Sequence, residues 1–231
     1  MLNKMPVARP YENKLGIVTG GSRGIGAAVA RRLAAKGCNL VIGYGSSKST
    51  DLTQCGRWHS GCCAITVPSY NATKPFQIDI VINNAGVSSN QNLNDNQAGP
   101  IQRLEFERVY TVNVLAPLLL IQALQSYLPT DRSGRIVNVS SVSSSIGYQG
   151  QSVYAGTKAA LEAMTRVWSC ELSERATVNA INSGPAWGDM YEKTGPVFWN
   201  INQPYVDVAP LTTYSGTQHS LDMGTEEKLK K

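Results

Sequence analysis

The sequence predicts an α/β protein, a doubly wound parallel sheet in a single domain spanning residues 1–231. Three observations predict it. Short apolar runs alternate with stretches of helical periodicity, the signature of strands linked by helical crossovers. The first apolar run ends in a glycine-rich turn that opens directly onto an amphipathic segment. A length of 231 residues is enough to bury one sizeable core.

The elements follow in order. Leu15–Thr19 alternates apolar residues as a first strand should, and Ile25, Ala28, Val29 and Leu33 then recur at helical spacing. Gly37 is placed to stop that helix, and a second strand is expected at Asn39–Gly43. Ile65–Val67 is a weaker strand candidate and Asp79–Asn83 a strong one. Leu104–Leu128 reads as a long helix, Arg135–Ser140 as a buried strand, Ser152–Leu172 as a helix and Thr177–Asn182 as a further strand. Two stretches strain the plan. Only about eight residues separate a strand ending near Ser69 from the strand at Ile78, too few for a parallel crossover, which needs about a dozen. The Ile65–Val67 strand is therefore absent or followed by a bare loop. After Leu211 the chain is rich in Thr, Ser and Gly and offers no apolar run for a last strand.

Composition narrows the class. Hydrophobic residues make up 42% and charged residues 16%, as in an ordinary soluble protein, and no run approaches the length of a bilayer span. The first 14 residues lack the apolar stretch of a secretory signal. Five cysteines at spacings that match no zinc pattern point to reduced thiols in the cytoplasm and to no bound metal. The net charge of +5 is scattered, with a cluster only at Lys228, Lys230 and Lys231, so no nucleic-acid partner is expected.

In Gly20-Gly21-Ser22-Arg23-Gly24-Ile25-Gly26 a strand must turn sharply into a helix. Glycines let a diphosphate approach the main chain, and the helix N-terminus supplies unpaired N–H groups and a partial positive charge. Gly20, Ser22, Arg23, Gly24, Ile25 and Gly26 are the candidate dinucleotide contacts. An acid ending the second strand would grip the ribose hydroxyls of NAD; Gly43-Tyr44-Gly45-Ser46-Ser47-Lys48 holds none. Ser46, Ser47, Lys48 and Arg23 would instead stabilise a 2′-phosphate, which points to NADP(H); a generic polar loop is the alternative.

Tyr154 and Lys158 stand four apart, so both project from one helical face. An ammonium and an oxidised nicotinamide would favour phenolate and lower the pKa of Tyr154 from about 10. Lys158 can also hold the nicotinamide ribose. Ser141 ends a strand thirteen residues earlier, on the side where open sheets place ligands, and can donate to a substrate carbonyl oxygen. Asn113 lies inside the long helix, and Pro117, four residues later, has no N–H for its carbonyl. That carbonyl can hold a water relaying protons toward Lys158, or the proline simply kinks the helix.

These residues, with Asn83-Asn-Ala-Gly86 and Gly184-Pro185, resemble the short-chain dehydrogenase/reductase family, in its branch of 3-oxoacyl-acyl-carrier-protein reductases. The motifs run in family order from Leu15 to about Met190. The resemblance implies a Rossmann-type fold of order 3-2-1-4-5-6-7 and a catalytic set of Asn113, Ser141, Tyr154 and Lys158, with Tyr154 as general acid. It also implies that Asn84, Ala85 and Gly86 border the adenosine ribose, that Pro185 and Ala186 border the nicotinamide, and that two copies pair through the helices holding Asn113 and Tyr154. This chain departs in lacking an aspartate near Pro68-Ser69, in Ser183 and Gly188 where a proline and a threonine are usual, in the missing third crossover helix, and in the missing final strand. The expected sheet is therefore 3-2-1-4-5-6 without its last strand. Residues 187–215 are expected to form a substrate lid, whose aromatic residues suit an apolar carbonyl substrate or merely cover the core, and 216–231 a disordered tail. The expected function is hydride transfer between NADP(H) and a carbonyl or alcohol. The alternative is a truncated, non-catalytic member that binds nucleotide weakly or associates with a full-length relative.

Overall fold

The computed structural model describes residues 9–45, 63–66, 76–186, 189–192, 194–196, 198, 200 and 212–215. Five parallel strands form its centre: β1 (Leu15–Thr19), β2 (Asn39–Gly43), β4 (Ile80–Asn83), β7 (Gly134–Ser141) and β8 (Ala176–Ser183). Two short edge strands complete it: β3 (Cys63–Thr66) and β9 (Thr212–Ser215), giving the order β3-β2-β1-β4-β7-β8-β9. A small hairpin, β5 (Asn94–Asp95) with β6 (Gly99–Pro100), stands apart. Set aside that hairpin, and the first six strands follow the predicted order 3-2-1-4-5-6.

The helices are α1 (Gly24–Ala35), α2 (Arg103–Tyr110), α3 (Ala116–Leu124), α4 (Ser143–Ile146), α5 (Ser152–Glu171) and α6 (Asp189–Glu192). Alternation along the central strands sends side chains to two cores. Ile80 and Ile82 join Val18, Leu40 and Ile42 against Ala30 of α1. Val81 joins Leu15, Ile136 and Val178 against Ile121 of α3 and Leu161 and Trp168 of α5. Both faces being covered explains why β4 reads as an unbroken apolar run rather than an alternation.

The two edges depart from the sequence-based expectation. β3 is present and runs antiparallel to β2, with Cys63 opposite Gly43 and Thr66 opposite Leu40. It therefore starts at the carboxyl end of β2 and finishes at the end where Ile80 begins β4 beside Gly16. A strand that returns to the starting end needs no crossover back over the sheet, so the short connection suffices. At the other edge, β9 pairs antiparallel with β8 although no apolar run precedes it. Thr212, Thr213 and Tyr214 are strand-favouring residues, and an edge strand is held by main-chain bonds. The segment expected as a lid thus ends in sheet; most of 187–211 and all of 216–231 lie outside the described residues.

The long helix is a composite. α2 passes into a π turn at Thr111–Leu115, closed by Ala116 N–H reaching the Thr111 carbonyl, then into α3 with Pro117 in its first turn, and ends in a 3₁₀ turn at Gln125–Tyr127. Counted as one unit, Arg103–Tyr127 is 25 residues and apolar enough to satisfy a bilayer span by length and composition, contrary to the expectation that no run would. Here it lies against α5 instead. The approach is close because Gly156 has no side chain: a Cβ there would sit 2.8 Å from the Tyr110 hydroxyl.

One buried carboxylate ties the amino ends of the central strands. Asp79 accepts from Lys14 Nζ at 2.8 Å, from Gln77 Nε2 at 2.8 Å and from the Leu15 N–H at 2.9 Å. Its own main chain bonds Leu15 O and the Arg135 N–H. Asp79→Ala leaves the Leu15 N–H unpaired where no water reaches easily. We expect a loss of about 2–3 kcal/mol, read as a lower urea midpoint at unchanged slope.

Candidate active site

The carboxyl ends of β1, β4, β7 and β8 open into a cavity of about 620 Å³. Gly20, Ser22, Arg23, Gly24 and Ile25 form one side of it, and Asn84, Ala85 and Gly86 the floor. Ser141, Tyr154 and Lys158 stand on the wall, with Pro185 and Ala186 beyond them. Among the described residues, every sequence-predicted site residue except Gly26 and Asn113 therefore lines one cavity. Ser46, Ser47 and Lys48 lie outside the described residues, as do Trp187, Trp199 and Tyr205, three of the aromatic residues of the expected lid; Gly45, just before Ser46, does line the cavity.

The glycine turn is shaped by close approach. Gly20 has φ of +63°, a backbone conformation that suits glycine. A Cβ on Gly26 would lie 2.3 Å from the Gly20 carbonyl oxygen and 2.4 Å from Asn84 Nδ2, so Gly26 supports the turn from behind. Asn84 Nδ2 donates to both the Thr19 and Gly20 carbonyls at 3.0 Å, while Thr19 Oγ1 accepts the N–H groups of Asn84 and Ala85. Asn84 and Ala85 thus fasten the turn after β1 to the loop after β4.

Residues on the cavity wall fit an anionic dinucleotide. α1 begins with no side-chain cap and no acid in its first turn, leaving its N–H groups open to a diphosphate. Gly24 faces open space. Among the described lining residues are two cations, Arg23 and Lys158, and no carboxylate.

Asn113 takes a different place from Ser141, Tyr154 and Lys158. It does not line the cavity and is 1% exposed. Its Oδ1 accepts the Val87 N–H at 2.9 Å, and its Nδ2 donates to Val87 O at 2.9 Å and to Thr157 Oγ1 at 3.0 Å. Thr157 in turn donates to the Tyr154 carbonyl at 2.6 Å. The side chain positions the floor loop against the helix bearing Tyr154, which spacing alone did not reveal. Pro117, read either as freeing the Asn113 carbonyl for a water or as a kink, stands at the exit from the π turn that carries Asn113.

Electrostatics at Tyr154 run opposite to the expectation. Burial raises its phenol above the ordinary value, and a hydrogen bond with Ser141 offsets only part of that. The i, i+4 spacing promised a lowering by Lys158. The ammonium, however, donates to the Val139 carbonyl at 2.8 Å and lies 5.6 Å from the Tyr154 ring centroid. Lys158 itself is pushed down to about 8 by burial, with Glu162 one turn away acting in the opposite sense. Glu162 is buried and accepts from Ser140 Oγ at 2.6 Å and from Ser144 Oγ, on either side of Ser141.

Sequence reasoning missed the polar wall beside Ser141. Ser141 donates to Ser143 Oγ at 3.0 Å, Ser143 to Gln151 Oε1 at 2.7 Å, and Gln151 Nε2 to Asn90 Oδ1 at 2.8 Å. A run of serines carries no period that would select Ser143, and Gln151 precedes its helix. Across the cavity, Tyr148 and Phe198 meet edge to face at 6.0 Å, with Met190 and Tyr191 nearby.

Known proteins resemble the chain closely. A family model described as short chain dehydrogenase matches residues 64–196. An L-xylo-3-hexulose reductase of Hypocrea jecorina is 58% identical over 93% of this chain and 80% of that protein. An L-xylulose reductase of Aspergillus niger is 45% identical over 97% of this chain and 85% of that protein. Among solved structures, a blue fluorescent protein from a metagenomic library, crystallised with NADPH, aligns with a TM-score of 0.65 and 28% identity over 83% of this chain and 82% of its own.

Lys158 generates a pH prediction. Its proton is held up to about pH 8 in the fold and to about 10.5 in the unfolded chain. Below pH 8 both states are charged and the full burial penalty is present. Between about 8 and 10.5 only the unfolded chain keeps the proton, so stability rises with pH. Lys158→Met removes that penalty, on the order of 3 kcal/mol. Thermal melts should show the advantage of K158M over the parent shrinking as pH climbs from 7.5 to 10; a gap independent of pH would contradict it.

Proposed function

Since the chain belongs to the short chain dehydrogenase family, we propose that it is an NADP(H)-dependent oxidoreductase that reduces the carbonyl of a keto-sugar to an alcohol. The observation that carries this reading is the meeting of Ser141, Tyr154 and Lys158 in the same cavity as the glycine turn. The two sugar reductases named above support the substrate class over the acyl-carrier-protein branch, since the nearer likenesses are to enzymes named for ketoses. The fit of the cavity to an anionic dinucleotide and the NADPH-bound structural relative support the cofactor.

Gly20, Ser22, Arg23, Gly24 and Ile25 would hold the diphosphate side of NADP(H), Asn84, Ala85 and Gly86 its ribose, and Pro185 and Ala186 its nicotinamide end; Ser46, Ser47 and Lys48 would take the 2′-phosphate. When bound, NADPH supplies a hydride to the carbonyl carbon. Ser141 donates to the carbonyl oxygen as charge grows there. Tyr154 gives that oxygen its proton, completing the alcohol, and a phenol kept protonated by burial suits a donor in the reductive direction. Lys158 offers a nearby ammonium that favours the resulting phenolate. Asn113 holds the floor loop and Thr157 in place while this happens.

The protein acts as a soluble cytoplasmic enzyme, in keeping with free thiols at Cys38 and Cys170 among the described residues. Two copies pair through the helices bearing Asn113 and Tyr154. Leu104, Leu115, Leu118 and Leu119 on the first and Val167 on the second are exposed, a share of large apolar side chains that a solitary subunit would not favour.

Fluorescence titration with NADPH followed by turnover of L-xylulose tests the activity. Tyr154→Phe should keep NADPH binding and lose about 10²–10⁴ in kcat; an undiminished kcat would refute the assignment of the donor. Leu118→Glu with Leu119→Glu should halve the mass seen by light scattering.

A further inference from the structure

We infer that Ser143 and Gln151 read a hydroxyl group on the carbon next to the reacting carbonyl, so that the site prefers hydroxyketones to plain ketones and to 1,2-diketones. The inference rests on the reductase reading of the same cavity and goes beyond it, to the two residues that choose the substrate.

Proton accounting along the wall carries it. Gln151 Nε2 donates to Asn90 Oδ1, which turns Oε1 toward Ser143 to accept its hydroxyl. A hydroxyl has one proton. With that proton given to Gln151, Ser143 Oγ offers Ser141 only lone pairs, and Ser141 donates to it at 3.0 Å. Ser141 Oγ also accepts the Ser143 N–H at 3.2 Å. Ser141 also shares a hydrogen bond with the Tyr154 phenol that favours its ionised form. Along the wall the donors therefore point one way, from Ser141 through Ser143 to Gln151.

A carbonyl oxygen entering between Tyr154 and Ser141 takes the Ser141 proton away from Ser143. Ser143 is 4% exposed and Gln151 5%, so water does not readily replace the lost donor. A hydroxyl on the adjacent carbon can. Ser141 and Ser143 present their oxygens 3.0 Å apart, which suits two oxygens on neighbouring carbons. A plain ketone leaves the Ser143 lone pair unmet, and sites built around a substrate hydroxyl discriminate strongly against analogues without it. A 1,2-diketone is worse placed, because its second carbonyl brings lone pairs against lone pairs. Its greater intrinsic reactivity would favour it in a site that lacked this polarity.

Three four-carbon substrates test the idea with NADPH: 3-hydroxybutan-2-one, butan-2-one and butane-2,3-dione. The parent enzyme should show kcat/KM at least about 100-fold higher for the hydroxyketone than for butan-2-one, and higher than for the dione. Ser143→Ala should bring the first ratio below about 10. Gln151→Leu frees the Ser143 proton for donation and should shift preference toward the dione, an effect that general loosening of the site would not produce. Equal reduction of all three by the parent enzyme overturns the inference while leaving the reductase reading intact. So does an unchanged ratio in folded S143A. If S143A does not fold, the parent ratios and the Q151L shift decide. A parent enzyme that reduces none of them, nor L-xylulose, overturns both.

Discussion

A buried amide holds the active region together. Asn113 makes three hydrogen bonds at 2.9–3.0 Å, two to the main chain of Val87 and one to Thr157. The first two fix the loop that follows β4, which forms the cavity floor; the third fixes α5, which carries Tyr154 and Lys158. A second tie between the same loop and the start of α5 lies farther out, where Gln151 donates to Asn90 and the Gln91 N–H to the Gly150 carbonyl. A residue of poor helix propensity is retained inside a helix because its side chain satisfies donors and acceptors that the fold would otherwise bury unpaired. The π turn around it is the backbone's accommodation, since it re-aims one side chain without ending the helix.

Much of this was legible before any coordinates. Leu15–Thr19 and Asn39–Gly43 form strands with the bounds read from their apolar pattern, because central strands of a covered sheet leave a strong local signal. The glycine turn and the Tyr154–Lys158 spacing were equally plain, because each needs particular residues at particular intervals. The edges were less readable. β3 and β9 are held by main-chain pairing, which any sequence supplies: Ile65–Val67 hinted at a strand but not at its antiparallel direction, and β9 left no apolar run at all. The Tyr154 expectation failed for a related reason. Spacing tells which face a lysine occupies, not that its ammonium turns to the Val139 carbonyl. Gln151 and Asn90 were invisible because their partnership spans 61 positions and depends on which way an amide is turned.

The charge arrangement along α5 has its own logic. Tyr154, Lys158 and Glu162 succeed one another at single helical turns, all three buried. Lys158 is discharged more easily than an exposed lysine, and Glu162 moderates that tendency from below. The same carboxylate receives the hydroxyls of Ser140 and Ser144, so the electrostatic support of the lysine and the mechanical support of Ser141 share one residue. Low local dielectric strengthens both interactions, which makes the cluster rigid and intolerant of partial removal.

Gly156, midway between Tyr154 and Lys158, admits the Tyr110 hydroxyl to a spot where a methyl group would stand 2.8 Å away. The spacer inside the four-residue interval is thus a gauge block between two helices. Its absence of bulk leaves room for the tip of the Tyr110 side chain between the two helices. A wider side chain there would act at a distance, pushing the Tyr110 ring out of its seat while leaving every reacting group chemically untouched.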